Sequence, residues 1–262
     1  MPYLYGIDSY ELASQRVITS SQLAQIDFHI CRIGTHGWGG MGTSSWYNRG
    51  FSIDAYCRQN IEATQAAGKP MGVYVFSYAW DTTSVEQEAI EVCDVLDTWG
   101  ITLEMPIFLD WESTGRPPGT GSYEKYQDLI GSTITTATLE SIFVAFYQKC
   151  AQRGRRAGMY FNGWFVDYLL PSSWINSQRA LGNYFWLAQW QNTPTPPHDC
   201  DVWQYSGDGH YIGSEYVSWY VDQDYVINPD VIITPPSSHI PIWLMYKMTQ
   251  RGGNNGKCTL LL

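Results

Sequence analysis

Short apolar runs alternate with helical patterns along most of the chain, and this alternation constrains the fold more than any other feature of the sequence. Helical patterns separate the first five runs and are clearest at residues 52–68, 82–100 and 136–154. Parallel strands that helices cover on both faces are apolar along most of their length. The pattern therefore predicts an α/β fold with eight strands, at residues 3–8, 27–35, 71–79, 104–112, 156–164, 183–190, 199–206 and 221–226.

Eight strands of this kind favour closure into a barrel. The last three follow one another with little helix between them, so we expect an irregular TIM-like barrel with about five β/α units followed by three β-strands. An open doubly wound sheet is the alternative arrangement. The barrel is predicted to span residues 1–229, and residues 230–262 are predicted to form a linker-like tail with a short apolar segment.

Acidic residues lie at the ends of three predicted strands. Asp8 ends the first strand, Asp110 and Glu112 end the fourth, and Asp222 and Asp224 lie in the last. In a β/α barrel the carboxyl ends of the strands share one face, and the active site lies there. We therefore expect carboxylates from three distant parts of the chain to meet. For Asp8, Asp222 and Asp224, helix capping or ion pairing is the alternative interpretation.

The stretch FLDWES at residues 108–113 contains the most informative pair of acids. Side chains alternate along a strand, so Asp110 and Glu112 point one way and Trp111 points the other. Two neighbouring carboxylates repel each other, and this repulsion raises the pKa of one of them. A protonated carboxylic acid beside an ionised carboxylate is the arrangement that glycoside hydrolysis uses.

Metal catalysis is a competing explanation for clustered acids. An all-oxygen site is usually a denser Asp/Asn loop, and zinc sites show tight histidine spacing. The histidines show no such spacing, and we predict neither a metal nor a cofactor: they are His29, His36, His198, His210 and His239.

A glycine-rich stretch, GWGGMG at residues 37–42, matches the dinucleotide-binding pattern and follows a predicted strand. The next predicted helix begins about ten residues later. The glycines therefore do not form the helix N-terminus that binds a pyrophosphate. We interpret the stretch as a loop over a cleft.

The composition excludes one class of partner and only hints at another. The net charge of −10 argues against nucleic-acid binding, for which a basic surface is expected. The 12 tryptophans and 19 tyrosines are typical of carbohydrate clefts but also of cores. The six cysteines are widely spaced and form no C-x-x-C pair, so we expect mostly free, buried thiols.

Neither end of the sequence predicts a membrane segment. The first residues show no basic region followed by an apolar one, so no signal peptide is visible. The apolar run IPIWLMYKM in the tail is far shorter than the roughly 20 residues of a membrane span. The tail is predicted either to pack back on the barrel or to dock to another module or protein.

The order of several short motifs resembles glycoside hydrolase family 25, the muramidases also called Chalaropsis-type lysozymes. VDQDY (221–225) stands where the family has VDLN, and PIFLDWE (106–112) is close to the family's D-x-E strand. The motifs, in chain order, are GIDSY (6–10), RIGT (32–35), GVYVFSYA (72–79), PIFLDWE (106–112), GMYFNGWF (158–165), WLAQW (186–190), DVWQYS (201–206) and VDQDY (221–225).

The resemblance implies cleavage of the β-1,4 bond between N-acetylmuramic acid and N-acetylglucosamine in peptidoglycan. Glu112 would be the general acid. Asp110 would stabilise the transition state or orient the 2-acetamido group, and Asp8 and Asp222 would tune pKa values and hold substrate or water. Aromatic and amide side chains on the motif strands would bind sugar, with core packing as the alternative for each: Tyr74, Tyr78, Tyr160, Trp164, Trp190 and Gln204.

The muramidase family works outside the cytoplasm, so the lack of a visible signal peptide suggests a phage product, released through a holin or carried in the virion. The predicted partner is the glycan strand of bacterial peptidoglycan, with no nucleic acid and no membrane span. Two other functions stay open. One is a non-catalytic glycan-binding or virion structural protein with the same barrel, and the other is a glycosidase acting on chitin-like polymers.

Overall fold

Eight strands close into a barrel in the computed structural model of the chain, which describes residues 3–10, 17–36, 50–112, 122–123, 126–127, 131–191 and 193–233. A ninth, short strand adds to the edge of the second. In chain order the strands are β1 (Leu4–Ser9), β2 (Phe28–His36), the added β3 (Phe51–Ile53), β4 (Met71–Phe76), β5 (Ile107–Asp110), β6 (Ala157–Asn162), β7 (Tyr184–Ala188), β8 (Val202–Ile212) and β9 (Glu215–Val226).

The strand pairings confirm the predicted barrel and exclude the open sheet. Neighbours run parallel from β1 through β2 and β4 to β8, and β9 then lies antiparallel between β8 and β1. All eight predicted strands are present. The last two are longer than predicted, because they continue into a hairpin.

Helices follow each of the first five barrel strands, so the prediction of five β/α units and three further strands is confirmed. The two helices between β6 and β7 were not among the predicted ones. The helices are α1 (Ser20–Leu23), α2 (Cys57–Ala66), α3 (Thr82–Trp99), α4 (Thr136–Gln152), α5 (Gly163–Tyr168) and α6 (Ser172–Ala180), and a 3₁₀ turn spans Pro229–Val231.

The ends of α3 show why this helix is placed as the sequence predicts. Asp81 and Ser84 form a reciprocal capping box, in which the Asp81 carboxylate accepts from the Ser84 backbone N–H at 2.7 Å. Gly100 ends the helix with a left-handed φ of 69°. These caps fix the helix that buries Val85, Val92 and other apolar residues against the outer face of the barrel.

The barrel interior is a packed core below the acidic face. Phe28 of β2 and Phe108 of β5 are fully buried there beside Trp186 of β7. A side chain at position 6 would overlap the ring of Phe28, so Gly6 of β1 leaves the space that this ring fills. The interior is therefore filled by aromatic rings, and polar groups gather above them.

The β8–β9 hairpin covers the outer face of β1, where the other strands have a helix. Ile7 of β1 lies in one apolar cluster with Ile212 and Val217 of the hairpin. The backbone N–H of Ser214 at the hairpin turn donates to the Gln25 side chain at 2.7 Å. β9 is thus the sheet neighbour of β1, and the end of the β8–β9 hairpin also packs on the outer face of β1.

Several predicted features lie outside the described residues. These are the loop at 37–42, Cys258 and most of the tail, at residues 234–262. The five described cysteines are free and buried, as expected, although Cys31 and Cys57 place their sulfurs 3.2 Å apart. Within the described part of the chain, no helix combines the length and the apolar character needed to cross a bilayer.

Candidate active site

The barrel brings the predicted acids together at the carboxyl ends of its parallel strands. Asp8 of β1 lies directly opposite Asp222 of β9, and Asp110 of β5 lies beside Tyr160 of β6. Directly paired residues project to the same face of a sheet. Glu112 follows β5 by two residues, so the four acids come from the first, middle and last parts of the chain to one mouth of the barrel.

The Tyr160 hydroxyl lies among all four of these acids. Burial raises the pKa of Tyr160 most, and the negative charges of Glu112, Asp110, Asp8 and Asp222 raise it further. All four charges therefore act on the same hydroxyl. The acids therefore form one electrostatic unit.

Asp110 and Glu112 differ in their exposure to solvent. Asp110 is buried at 4% exposure, whereas Glu112 is only partly buried. Trp111 points away from the site, as the alternation predicts, and its indole N–H donates to the Ala79 carbonyl at 3.0 Å. The Glu112 backbone is held by the Ser122 hydroxyl, which accepts from its N–H at 3.2 Å. The pair is thus built on a rigid support, with one acid inside and one at the opening.

The prediction that one acid of this pair has a raised pKa is met by Asp110. Burial raises its pKa well above the usual range, and the charges of Glu112 and Asp8 raise it further. Arg32 of β2 acts in the opposite direction. One carboxyl oxygen of Asp110, Oδ1, has no hydrogen-bond partner in the described protein. Burial and neighbouring charge therefore both favour the protonated form of Asp110, and its enclosed Oδ1 has no partner within the described residues.

Gln204 of β8 orients Asp8. Its amide nitrogen donates to Asp8 Oδ2 at 2.7 Å, while its oxygen accepts from the Tyr160 hydroxyl at 3.1 Å and the Trp190 indole at 3.0 Å. Because two donors occupy the amide oxygen, the nitrogen must face Asp8. Gln204 is thus buried at 2% exposure and holds an acid in place.

Two further charged residues belong to the site: Asp224, which was named among the clustered acids but given no catalytic role, and Arg32, which was not predicted. Asp224 of β9 is fully buried, and its Oδ1 accepts from the Trp186 indole at 2.8 Å. Arg32 binds Asp54 through its Nε at 2.9 Å and acts electrostatically on Asp110. Asp224 shares a face with Asp222 because side chains alternate along a strand. Arg32 is a charged residue within an otherwise mostly apolar strand. This signal was present in the sequence.

The predicted sugar-binding residues fall into two groups. Tyr74, Tyr78 and Tyr160 are buried in the wall of the barrel mouth, at 6%, 6% and 8% exposure. Trp190 and Trp164 are exposed at 62% and 40%. Only these two present broad apolar surface to a ligand.

The polar side chains that the site could offer to a ligand are mainly carboxyls and amides. Within the described residues, no group of three or more His, Cys, Asp or Glu side chains is arranged to hold a metal ion. The arrangement can supply one proton, one negative charge and several hydrogen bonds to a polar substrate.

Stability should depend on pH because buried acids carry raised pKa values. Burial raises the pKa of Asp8 and of Glu88, each to about 7. The folded protein then binds protons that the unfolded chain has released, so the free energy of unfolding falls as pH rises from about 4 through 7. Urea denaturation between about pH 5 and pH 8 checks this expectation.

The Glu88→Gln variant is the matched control for that measurement, since it removes one of the buried acids. Its stability should change less steeply over the same range. Stability that increased from about pH 5 to pH 8 in the wild type would contradict the raised values.

A family model for the glycosyl hydrolases of family 25 matches residues 49–214, which include both Asp110 and Glu112. The chain belongs to glycosyl hydrolase family 25. The match covers more than half of the chain and agrees with the resemblance seen in the motifs. No curated protein sequence matches the chain.

Solved structures of family 25 type share the fold. The modular autolysin LytC from Streptococcus pneumoniae is 19% identical, with a TM-score of 0.60, over 85% of this chain and 46% of that one. The chain thus spans about half the length of this autolysin. The lysozyme from Streptomyces coelicolor is 20% identical, with a TM-score of 0.53, over 94% and 98% of the two chains.

A phage enzyme is also similar in structure. The catalytic domain of endolysin ply40, from bacteriophage P40 of Listeria monocytogenes, is 15% identical, with a TM-score of 0.56, over 88% and 96% of the two chains. At these identities the likeness extends to the fold, and the family assignment rests on the family model.

Proposed function

We propose that this family 25 protein is a peptidoglycan hydrolase that cleaves the β-1,4 bond between N-acetylmuramic acid and N-acetylglucosamine. The observation that carries the proposal is the pair Asp110 and Glu112, one buried and one at the opening of a barrel mouth that also holds Asp8 and Asp222. The LytC autolysin, which shares the fold, has been solved with a synthetic peptidoglycan ligand.

Glu112 is the general acid in this proposal. After burial, its negative charge is the main cause that raises the pKa of Asp110, so the two carboxyls together hold a proton more tightly than an isolated carboxyl does. A sugar bound at the mouth buries the partly exposed Glu112, and desolvation then favours the protonated form of this carboxyl. Glu112 donates that proton to the glycosidic oxygen as the bond to the anomeric carbon breaks.

Asp110 is left ionised next to the positive charge that develops on the sugar ring. It stabilises the oxocarbenium-like transition state, or it orients the 2-acetamido group of the substrate. Asp8 and Asp222 hold substrate or water and adjust the charge of the site. Each of these roles uses a residue that faces the same barrel mouth.

Fragment analysis tests the proposed reaction. Purified peptidoglycan is digested, the products are reduced with borohydride, and the ends are identified by mass spectrometry. We expect reduced muramic acid ends. Reduced glucosamine ends would indicate a different glycosidic bond, and cleavage of chitin oligomers alone would indicate a chitin-like substrate. No new ends on several wall types would support a non-catalytic glycan-binding or virion protein.

We also propose that the enzyme acts on the bacterial wall as a phage product, released by a holin or carried in the virion. The similarity to the ply40 endolysin supports this setting. Residues 230–262 would form a tail that docks to another module or protein. Residues 1–229 would form the catalytic unit.

Trp190→Ala should weaken substrate binding. The Trp190 ring packs directly on Gly207 and keeps 62% of its surface exposed, so it offers a fixed apolar surface for a sugar ring. Losing an aromatic contact of about 1 kcal/mol raises KM by roughly fivefold with little change in stability. Kinetics on soluble wall fragments measure the change.

Tyr211→Ala is the matched control, because Tyr211 is 52% exposed but lies on the hairpin that covers the outer face of β1. This variant should keep the wild-type KM. Equal effects of the two substitutions would remove Trp190 from the binding surface.

A further inference from the structure

Glu112 lies beyond the end of the strand that leads to it, since β5 ends two residues earlier. The Trp111 N–H still donates to the Tyr160 carbonyl of β6, at 3.3 Å. One residue further on, the Glu112 N–H donates to the Ser122 hydroxyl at 3.2 Å, and its carbonyl accepts from the Tyr123 N–H at 3.0 Å. The backbone of the proposed general acid is therefore held by two neighbouring residues of the following segment and not by the sheet.

The Ser122 hydroxyl forms a bridge between two backbone groups. It accepts from the Glu112 N–H, and it donates to the Ser77 carbonyl at 2.6 Å. A carbonyl only accepts and an N–H only donates, so the single hydroxyl hydrogen points at Ser77 and a lone pair points at Glu112. Ser122 is 1% exposed and Ser77 is fully buried, so the bridge lies away from bulk solvent.

The bridge ends on a turn after β4 that already contacts the acid pair. The Ser77 N–H donates to the Asp110 carbonyl at 2.8 Å. The Ala79 carbonyl accepts from the Trp111 indole N–H at 3.0 Å. With the Ser122 bridge, the same turn therefore bonds to the backbones of both acids and to the tryptophan between them.

Helix α3 holds this turn from its other side. The Tyr78 N–H donates to the carboxyl of Glu88, which is fully buried, at 3.2 Å. The Trp80 N–H donates to the Ser84 hydroxyl in the first turn of the helix, at 3.0 Å. The far end of the bridge is thus fixed to a long helix, so the bridge can transmit a defined position to Glu112.

We propose that Ser122 is a positioning residue, whose hydroxyl ties the Glu112 backbone to the turn after β4 and so fixes where the Glu112 carboxyl stands relative to Asp110. Glu112 is only partly buried, so packing restrains it less than it restrains Asp110. Proton transfer to a glycosidic oxygen depends steeply on where the donor is placed. This role deepens the proposed hydrolase function, on which it rests.

Hydrogen exchange tests the bridge without any need for activity. In Ser122→Ala the Glu112 amide loses its acceptor, so NMR should show its exchange to be roughly fivefold or more faster than in the wild type. The Trp111 indole N–H bonds to Ala79 and not to Ser122, so it should keep its wild-type rate and serves as the internal reference. A Glu112 amide that exchanged at the wild-type rate would overturn the inference.

A double-mutant cycle tests the role in catalysis. Ser122→Ala should lower kcat on soluble wall fragments by about 10–100-fold and keep KM within about twofold, because a misplaced general acid weakens the transition state more than substrate binding. In the Glu112→Gln background, which lacks the acid, Ser122→Ala should lower the remaining rate by less than about threefold. Equal losses in the two backgrounds, or no loss in the wild-type background, would contradict a role through Glu112.

Ser141→Ala is the matched control and should keep the wild-type rate. The Ser141 hydroxyl also donates to a backbone carbonyl, that of Ala137 at 2.7 Å, but on the exposed side of α4. Ser122→Ala also removes the donor of the buried Ser77 carbonyl. If that variant does not fold, Ser122→Cys replaces it in each measurement, because its thiol is of similar size but is a weak hydrogen-bonding group.

Failure of the proposed function would be recognised separately. A wild type that cleaves no glycosidic bond would overturn the hydrolase function, and the catalytic role of Ser122 with it. The exchange of the Glu112 amide would still decide whether the bridge exists, since that measurement does not depend on turnover.

Discussion

Glu112→Gln is expected to fold as the wild type and to hydrolyse peptidoglycan about 10²–10⁴-fold more slowly, the usual contribution of general acid catalysis. The substitution keeps the side-chain shape and the backbone bonds of Glu112, whose carbonyl accepts from Tyr123 at 3.0 Å. It removes only the proton that the glycosidic oxygen needs. Release of reducing ends from purified walls gives the rate, and thermal unfolding gives the stability.

Glu86→Gln provides the matched control. Glu86 lies on α3, is partly exposed and forms an ion pair with Lys149 at 2.9 Å. The same chemical change there should alter the rate by less than about twofold, because this surface ion pair contributes little to the stability of the fold. If Glu112→Gln kept a rate within about threefold of the wild type, the general acid would have to be another residue.

Asp110→Asn is expected to lower the rate by about 10²–10³-fold while leaving stability equal or higher. The carboxyl of Asp110 is buried, has a raised pKa and lies near the charges of Glu112 and Asp8. A neutral amide of the same shape removes that repulsion, and it also removes the negative charge that the transition state requires. Urea denaturation at about pH 8, where the repulsion is largest, should show the gain most clearly.

Asp201→Asn separates this effect from the general effect of changing a buried aspartate. Asp201 is 1% exposed but binds Arg179 at 2.8 Å and accepts from the Phe185 backbone N–H, also at 2.8 Å. Asp201→Asn should lower the free energy of unfolding by about 1.5–3 kcal/mol, the range for hydrogen bonds to charged groups. A similar loss in Asp110→Asn would show that Asp110 is a structural acid.

The alternation of side chains was sufficient to predict the D-x-E pair. Asp110 and Glu112 face the site and Trp111 faces the helices, because the strand period is two and the strand is buried on both sides. The same rule places Asp224 on the same face of the last strand as Asp222. Its depth could not be predicted, since it depends on the register of β9 against β1.

The hydrogen bonds that support the acids were harder to predict from the sequence. Gln204 acts on Asp8 across 196 positions of the chain, and no local pattern reports such a contact. The helices α5 and α6 were missed because Pro171 interrupts them and each is too short to show a clear period. The hairpin was missed because its strands twist from the inner sheet to the outer face of β1.

The position of β9 between β8 and β1 has a consequence for when the proposed active site is complete. Asp8 belongs to β1, the first strand of the barrel, and its partners Gln204 and Asp222 belong to β8 and β9. A chain that has been synthesised as far as Asp110 and Glu112 still lacks the strands that complete the barrel around them, including β8 and β9. The proposed active site is therefore completed in one step, when β9 joins β8 to β1 and closes the ring of strands.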